Sequence, residues 1–248
     1  MAMRNRVYLF DVDGTLTPPL TEINDEFADI FLRWVHDKKR HVYLVTGSDI
    51  AKTKRQLFSS FIDQCAGIFT CSGNVYYSKG RKIYEKKLEL PDDFIDNLEL
   101  YLEHGTSWRR KTGRHIEVRP GMVNFSTVGR NASPNLREAY GRWDFHSRER
   151  EDIVDYIQGI YPDFEASIGG TISVDIYPAG CNKAQVVEKI HEVHGTDVEM
   201  IFTGDRNVPG GNDWPLAQAL EKLPGSKWFQ VESPAETRAL IEGNELFI

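Results

Sequence analysis

The chain has 248 residues, 40% hydrophobic and 27% charged, an ordinary globular composition with room for one large domain or two small ones. Its formal net charge of −7 argues against a nucleic-acid partner, so an anionic ligand must be held by a local cluster of Arg and Lys. No signal-peptide apolar region opens the chain and no later run is long enough to span a bilayer, which reads as a soluble cytoplasmic protein without a membrane partner.

Val7-Tyr8-Leu9-Phe10 is an apolar run suited to a strand buried on both faces, and it stops at Asp11-Val12-Asp13-Gly14-Thr15. In open α/β sheets ligands bind where such strands end. Two carboxylates one residue apart at that edge repel each other and lose hydration, so they need a partner, and a hard cation with oxygen ligands such as Mg²⁺ suits them. Phe27, Ile30, Phe31 and Trp34 then recur at helical spacing, and His41 to Val45 reads as a second strand ending at Thr46-Gly47-Ser48-Asp49. A strand, a helix and a strand in this order form a parallel crossover, which brings Thr46 and Ser48 beside Asp11. Ser48 reads equally as an N-cap for the helix running to Phe61.

Ala66 to Thr70 is a third short strand, and Val75 to Tyr77 with Lys82 to Tyr84 read as a hairpin. The three cysteines, Cys65, Cys71 and Cys181, are odd in number and lack CxxC spacing, which argues against a disulfide framework or a zinc site. Past Arg81 the pattern changes. A helix opens at Pro91-Asp92-Asp93, and His115 to Arg119 and Met122 to Ser126 alternate about Pro120-Gly121 as an antiparallel hairpin. Alternation sends Ile116 and Val118 to a core and His115, Glu117 and Arg119 to the other face; Ser173 and Asp175 stand together likewise. A helix with Ile153, Val154, Ile157 and Ile160 on one side lies between. The segment reads as an antiparallel sheet with helices on one face and an open polar face on the other, as a lid needs. The expected division is a core of 1–81 and 182–248 with an inserted unit of 82–181.

Lys183 follows a plausible N-cap, Asn182, and heads a helix with Val186, Val187, Ile190 and Val193 on one face. A lysine there opposes the helix macrodipole, which favours a functional reading. Glu199 to Thr203 is the third strand to end in polar, glycine-flanked residues, here Gly204-Asp205 and on to Asn212-Asp213.

The motif Asp11-Val12-Asp13-Gly14-Thr15, with Thr46 to Ser48, Lys183 and Asp205 in order after it, resembles the four motifs of the haloacid dehalogenase (HAD) superfamily of phosphotransferases. The resemblance implies an α/β fold, a HAD-like Rossmannoid core with a parallel sheet plus an inserted α+β cap with an antiparallel sheet. It implies Asp11 as the nucleophile that becomes an aspartyl-phosphate, Asp13 as general acid and base, Thr46 or Ser48 as a phosphoryl contact, and Lys183 as the cation that stabilises the nucleophile. Asp205 would bind Mg²⁺ with Asp11 and Asp13, the latter through its backbone carbonyl, and Asn212 and Asp213 would support that site from outside or through water.

Within the superfamily the chain is similar to the α-phosphomannomutase family over most of its length, most densely in Phe10 to Thr17, Ile116 to Arg130, Ser167 to Pro178 and Gly204 to Asp213. That similarity implies interconversion of mannose 6-phosphate and mannose 1-phosphate in supply of GDP-mannose synthesis, with a hexose 1,6-bisphosphate activator and a homodimer formed through the cap. Arg119, Arg130 and Arg137 match the family's phosphate-binding arginines, and Ser173 and Asp175 its sugar-binding residues; guanidinium groups suit a phosphate because they bind it through paired hydrogen bonds. Three departures stand out. Pro18-Pro19-Leu20 replaces a segment that usually carries an arginine, one glycine rather than two precedes Ser48, and Trp214 to Gln218 lacks an acidic loop. A sugar-phosphate phosphatase on the same scaffold is the alternative, and a non-catalytic binding protein is a third reading that the full set of catalytic residues disfavours.

Overall fold

The computed structural model describes residues 5–243 and 245–247. Residues 1–4, 244 and 248, which the expected core includes, lie outside the described residues. The elements in order are β1 (Arg6–Phe10), α1 (Asp25–Asp37), β2 (His41–Val45), α2 (Ile50–Asp63), β3 (Gly67–Thr70), β4 (Val75–Ser78), β5 (Arg81–Glu85) and α3 (Phe94–Leu100). Then come β6 (Ile116–Arg119), β7 (Met122–Phe125), α4 (Pro134–Ser147), α5 (Glu149–Ile160), β8 (Phe164–Gly169) and β9 (Ser173–Pro178). The chain closes with α6 (Val186–His194), β10 (Glu199–Gly204), α7 (Trp214–Glu221), β11 (Lys227–Gln230) and α8 (Pro234–Glu242).

The first sheet has seven strands in the order β11-β10-β1-β2-β3-β4-β5. Its first five strands are mutually parallel and β4 and β5 are antiparallel additions. β1 is the central one of the five parallel strands, and both of its faces are apolar. Tyr8 and Phe10 pack into one buried cluster with Phe31 and Trp34 of α1, while Val7 and Leu9 pack into a second with Val186 and Ile190 of α6. Burying a side chain of this kind contributes roughly 1.5–3 kcal/mol, so a strand with four of them is fixed in the interior and its carboxyl end is fixed with it. The helix read from Phe27 to Trp34 is α1, started by Asn24, whose side chain accepts from the backbone N–H of Phe27 at 3.0 Å. The hairpin read at Val75 to Tyr84 is β4 and β5, and β5 runs on to Glu85 inside the main sheet. We therefore place the crossing into the second unit after Glu85, not at Arg81.

The second sheet has four antiparallel strands in the order β6-β7-β9-β8. Val123, Phe125, Val174 and Ile176 face α3 and α5, where Phe94, Leu98, Ile153 and Ile157 complete a buried cluster. One expectation fails here: Val118 is 58% exposed. β6 is the edge strand, and of its two apolar residues only Ile116 packs against the buried cluster. Ile160, read as part of the α5 apolar face, is also exposed, at the last position of the helix. α4 has no counterpart in the sequence reading; Tyr140 and Asp144 are its buried residues.

The opposite face of this sheet is polar, as read, but it is closed. Met122 and Tyr177 pack on Cys71 and Val75 of the first unit. The main chain also joins the units, since the Ile168 N–H donates to the Gly210 carbonyl at 2.8 Å and the Asn212 N–H to the Ile168 carbonyl at 3.2 Å. Arg206 reaches across to the Gly170 carbonyl at 2.8 Å. The fold is thus a HAD-like α/β core carrying an α+β cap, with the polar cap face turned onto the carboxyl edge of the parallel strands. Among the described residues no helix is long and apolar enough to cross a membrane.

Candidate active site

Asp11 leaves β1 with its N–H donating to the Thr203 carbonyl of β10 at 2.9 Å, and its carboxylate is buried. Lys183 is fully buried, and its ammonium donates to Asp11 Oδ1 and to Asp213 Oδ1, each at 2.6 Å. The expected Asn182 cap holds, the side chain accepting from the Ala184 N–H at 2.9 Å, and it opens a single 3₁₀ turn that delivers Lys183 to the sheet edge before α6 begins. An ammonium there is paired with two carboxylates, which raises its pKa despite burial.

Asp11, Asp205 and Asp213 present oxygens that all lie within 4.8 Å of one another. Burial pushes the Asp11 carboxyl well above the ordinary range, with Lys183 opposing and Asp213 and Asp205 adding to the shift. Burial and then Asp213 push Asp205 up to about 7. Lys183 pairs with Asp11 and Asp213, and the Arg206 guanidinium lies 3.6 Å from Asp205, yet three carboxylates remain crowded together, and a hard divalent cation with oxygen ligands fits them. Gly14 closes one side of this cluster. It has φ +89°, and a Cβ there would stand 2.5 Å from Asp205 Oδ2, so only glycine lets the turn approach the carboxylate.

The Asp13 side chain lies outside the cluster, which leaves only its backbone carbonyl for the expected cation contact, and Asp213, expected as outer support, has its carboxylate in the cluster. Asp213 is held by Lys183 and by the Arg206 N–H at 3.0 Å. The Asp13 carboxylate instead turns to α2, where Oδ2 accepts from Lys52 Nζ at 2.6 Å and from Ser48 Oγ at 2.9 Å, and Oδ1 accepts from Gln56 Nε2 at 2.9 Å. Burial alone would raise this carboxyl, but Lys52, Gln56 and Ser48 outweigh it and hold it at about 2. Ser48 is therefore not the N-cap. Asp49 caps α2, accepting from the Lys52 N–H at 2.7 Å, while buried Thr46 accepts from the Ser48 N–H at 3.1 Å.

Asp11, Asp13, Thr46, Ser48, Arg119, Arg130, Arg137, Ser173, Asp175, Asp205 and Asn212 all line one cavity between core and cap. The three arginines thus reach a common space from the cap side, but each has a present partner. Arg119 pairs with Glu117 and donates to the Gly47 carbonyl of the core at 2.9 Å. Arg130 lies 3.5 Å from Glu117, and Arg137 donates to the carbonyls of Ala132 and Arg130 at 2.9 and 2.6 Å. Glu117 was placed on the Arg119 face from sequence, yet its part as the carboxylate between two arginines was not foreseen. Asp175 accepts from Asn124 at 2.6 Å and from Asn212 at 3.3 Å, joining cap to core, and Ser173 donates to the Gly169 carbonyl at 3.0 Å. Lys52 and Gln56 escaped the sequence reading too. Their spacing from Ser48, four and eight residues on, puts all three on one helix face beside the active edge, and that pattern could have found them.

Solved structures with this fold include the trehalose-6-phosphate phosphatase C-terminal domain of C. albicans, 18% identical with TM-score 0.64 over 97% of this chain and 92% of that one. A phosphatase of the haloalkanoate (HAD) enzyme superfamily from Bacteroides thetaiotaomicron is 16% identical with TM-score 0.58, covering 99% and 96%. Fold and motifs together define a HAD-superfamily protein. The family described as "Eukaryotic phosphomannomutase" matches residues 29–247. Phosphomannomutase 2 of Dictyostelium discoideum is 32% identical over 98% of this chain and 97% of its own length, and the phosphomannomutase of Arabidopsis thaliana is 33% identical over 95% and 96%. This chain belongs to the eukaryotic phosphomannomutase family.

Proposed function

We propose that the chain is a phosphomannomutase, interconverting mannose 6-phosphate and mannose 1-phosphate through an aspartyl-phosphate on Asp11. The observation that carries this reading is the placement of Asp11, paired with Lys183, in one cavity with three cap arginines, in a chain of this family. A phosphatase needs to recognise one phosphate and admit water, whereas a mutase must hold a second phosphate away from the nucleophile and keep water out. Arg119, Arg130 and Arg137 supply the remote phosphate site, with Ser173 and Asp175 for the sugar.

An Asp11 carboxylate oxygen attacks phosphorus of a hexose 1,6-bisphosphate activator. As the bond from phosphorus to the sugar oxygen breaks, that oxygen takes a proton from Asp13, which can carry one only when the donors Lys52, Ser48 and Gln56 that hold it ionised give way. The monophosphate then presents its other hydroxyl, Asp13 takes back the proton, and the phosphoryl group passes from Asp11 to that oxygen. Lys183 holds Asp11 in place and offsets charge as the anions approach. Mg²⁺, held by Asp11 and Asp205 with Asp213 beside them, would neutralise the phosphoryl oxygens when bound. We also infer a homodimer through the cap, a reading supported by Val118 and Leu100, each more than half exposed on cap elements; sedimentation at a single-chain mass would refute it.

The direct test is the product formed from mannose 1-phosphate with Mg²⁺ and a trace of hexose 1,6-bisphosphate. Isomer should form, and chelation of the metal should stop it. Phosphate release that outruns isomerisation across hexose phosphates and activator concentrations would give the assignment to a phosphatase. Leu20 lines the cavity, is 51% exposed and offers no charge, so some release of inorganic phosphate is expected. Leu20→Arg should lower that release relative to isomerisation, and an unchanged ratio would show that this wall does not govern access of water. Arg137→Ala should raise KM or lower the rate by the loss of a charge-assisted contact of roughly 1.5–3 kcal/mol, and kinetics unaltered for all hexose phosphates would remove Arg137 from the site.

A further inference from the structure

We propose that Lys52 is a positioning residue that holds the Asp13 carboxylate against α2 until a substrate phosphate draws the ammonium away, and that this hold limits loss of the phosphoryl group to water; the proposal rests on the phosphotransferase reading above. Asp13 accepts three hydrogen bonds in the structure, from Ser48, Lys52 and Gln56, so both of its oxygens are engaged. Gln56 and Ser48 are short of reach and tied in place: Gln56 also donates to Thr17 at 2.9 Å, and Ser48 lies in the turn that precedes α2. Lys52 differs from them. Its backbone is pinned by the Asp49 cap, but its ammonium stands at the end of a four-carbon stem, is 14% exposed and lines the cavity. Among the described residues it is the one lysine on that wall.

The surrounding charges give the ammonium somewhere to go. Arg119, Arg130 and Arg137 line the cap side of the cavity as the phosphate site proposed above, and Lys52 lines its core side, where the wall at Leu20 is apolar. A phosphate dianion entering the cavity competes with Asp13 for Lys52, and a compact ammonium on a flexible stem changes partners more readily than a guanidinium fork. In the empty cavity, hydrolysis requires a water oxygen to bond to phosphorus as the bond from phosphorus to Asp11 breaks, with the water proton passing to Asp13. A carboxylate whose oxygens already accept from three donors is poorly placed to take it. With sugar phosphate bound, Lys52 moves to the phosphate, the substrate hydroxyl takes the water's place, and its proton passes to the freed Asp13 oxygen as its own oxygen bonds to phosphorus.

The test follows Asp11 phosphorylated by hexose 1,6-bisphosphate in the full chain, freed of excess donor. Decay to inorganic phosphate is timed without an acceptor, and transfer is timed with mannose 1-phosphate. Lys52→Met should speed decay and raise KM for mannose 1-phosphate, each by roughly tenfold, the size of one charge-assisted hydrogen bond. Lys52→Arg should bring KM back toward the parent value. A purely structural role would slow decay and transfer together, and unchanged or slower decay in Lys52→Met overturns the proposal. A parent phosphoenzyme that releases only phosphate sinks the mutase reading while leaving the decay comparison intact. A chain that takes no phosphoryl group from the bisphosphate overturns both.

Discussion

Asp11→Asn should reduce turnover by on the order of 10⁴ or more, since the variant loses the attacking oxygen's charge along with one charge of the cation cluster. The fold should survive. Asp11 is buried in contact with Lys183, and its carboxyl is pushed up by burial against Asp213 and Asp205 nearby. An amide of the same shape still offers an oxygen to Lys183 and removes one of three crowded negative charges, so the thermal midpoint should be unchanged or higher. Aspartyl-phosphate formed by this variant would refute the nucleophile assignment, and a large fall in stability would show that the carboxylate has a structural part that crowding hides.

Lys183→Met has the second large effect, and it falls on stability as well as rate. The ammonium is fully buried between Asp11 and Asp213, and removing one partner of a buried ion pair typically costs about 3–5 kcal/mol, because the remaining charges are left unpaired. Chemical denaturation should show a loss of that order with the slope unchanged. Saturating Mg²⁺ should restore part of it, because a ligand that binds only the folded cluster stabilises by mass action. A variant as stable as the parent without metal would mean that the carboxylates have taken up protons or found other donors, and that Lys183 is less central to the fold than its burial indicates.

The parts of the site carried by strand ends were legible. An apolar run buried on both faces, as in β1 and β10, leaves little freedom in where its next residue goes, so Asp11 and Asp205 could be placed on one sheet edge from sequence alone. Lys183 was legible because a lysine at that helix start is electrostatically unfavourable. Side-chain direction was less so. Nothing local states that Asp13 turns to α2, that Asp213 enters the acidic cluster, or that Glu117 lies between two arginines, since each outcome depends on a partner distant in sequence. Val118 shows the limit of alternation, which groups residues by face but cannot say which of them are covered. α4 was missed although Leu136, Ala139, Tyr140 and Trp143 recur at helical spacing after Ser133-Pro134; Leu136, Tyr140 and Trp143 pack together, and Tyr140 donates to the buried Glu149 of α5 at 2.7 Å.

Much of the joint between cap and core is made of peptide groups: Ile168 with Gly210 and Asn212, Arg206 on the Gly170 carbonyl, and Arg119 on the Gly47 carbonyl. Peptide groups are the same whatever side chain they carry. Exchange around this seam is still limited to side chains that leave the backbone as it is, since Gly47, Gly170 and Gly210 supply three of the carbonyls and Gly170 and Gly210 have φ of +52° and +82°. Asp175 and Arg119 stand in this joint and in the proposed sugar and phosphate site at once, so a change of hexose preference made at either residue also alters how the two units hold together.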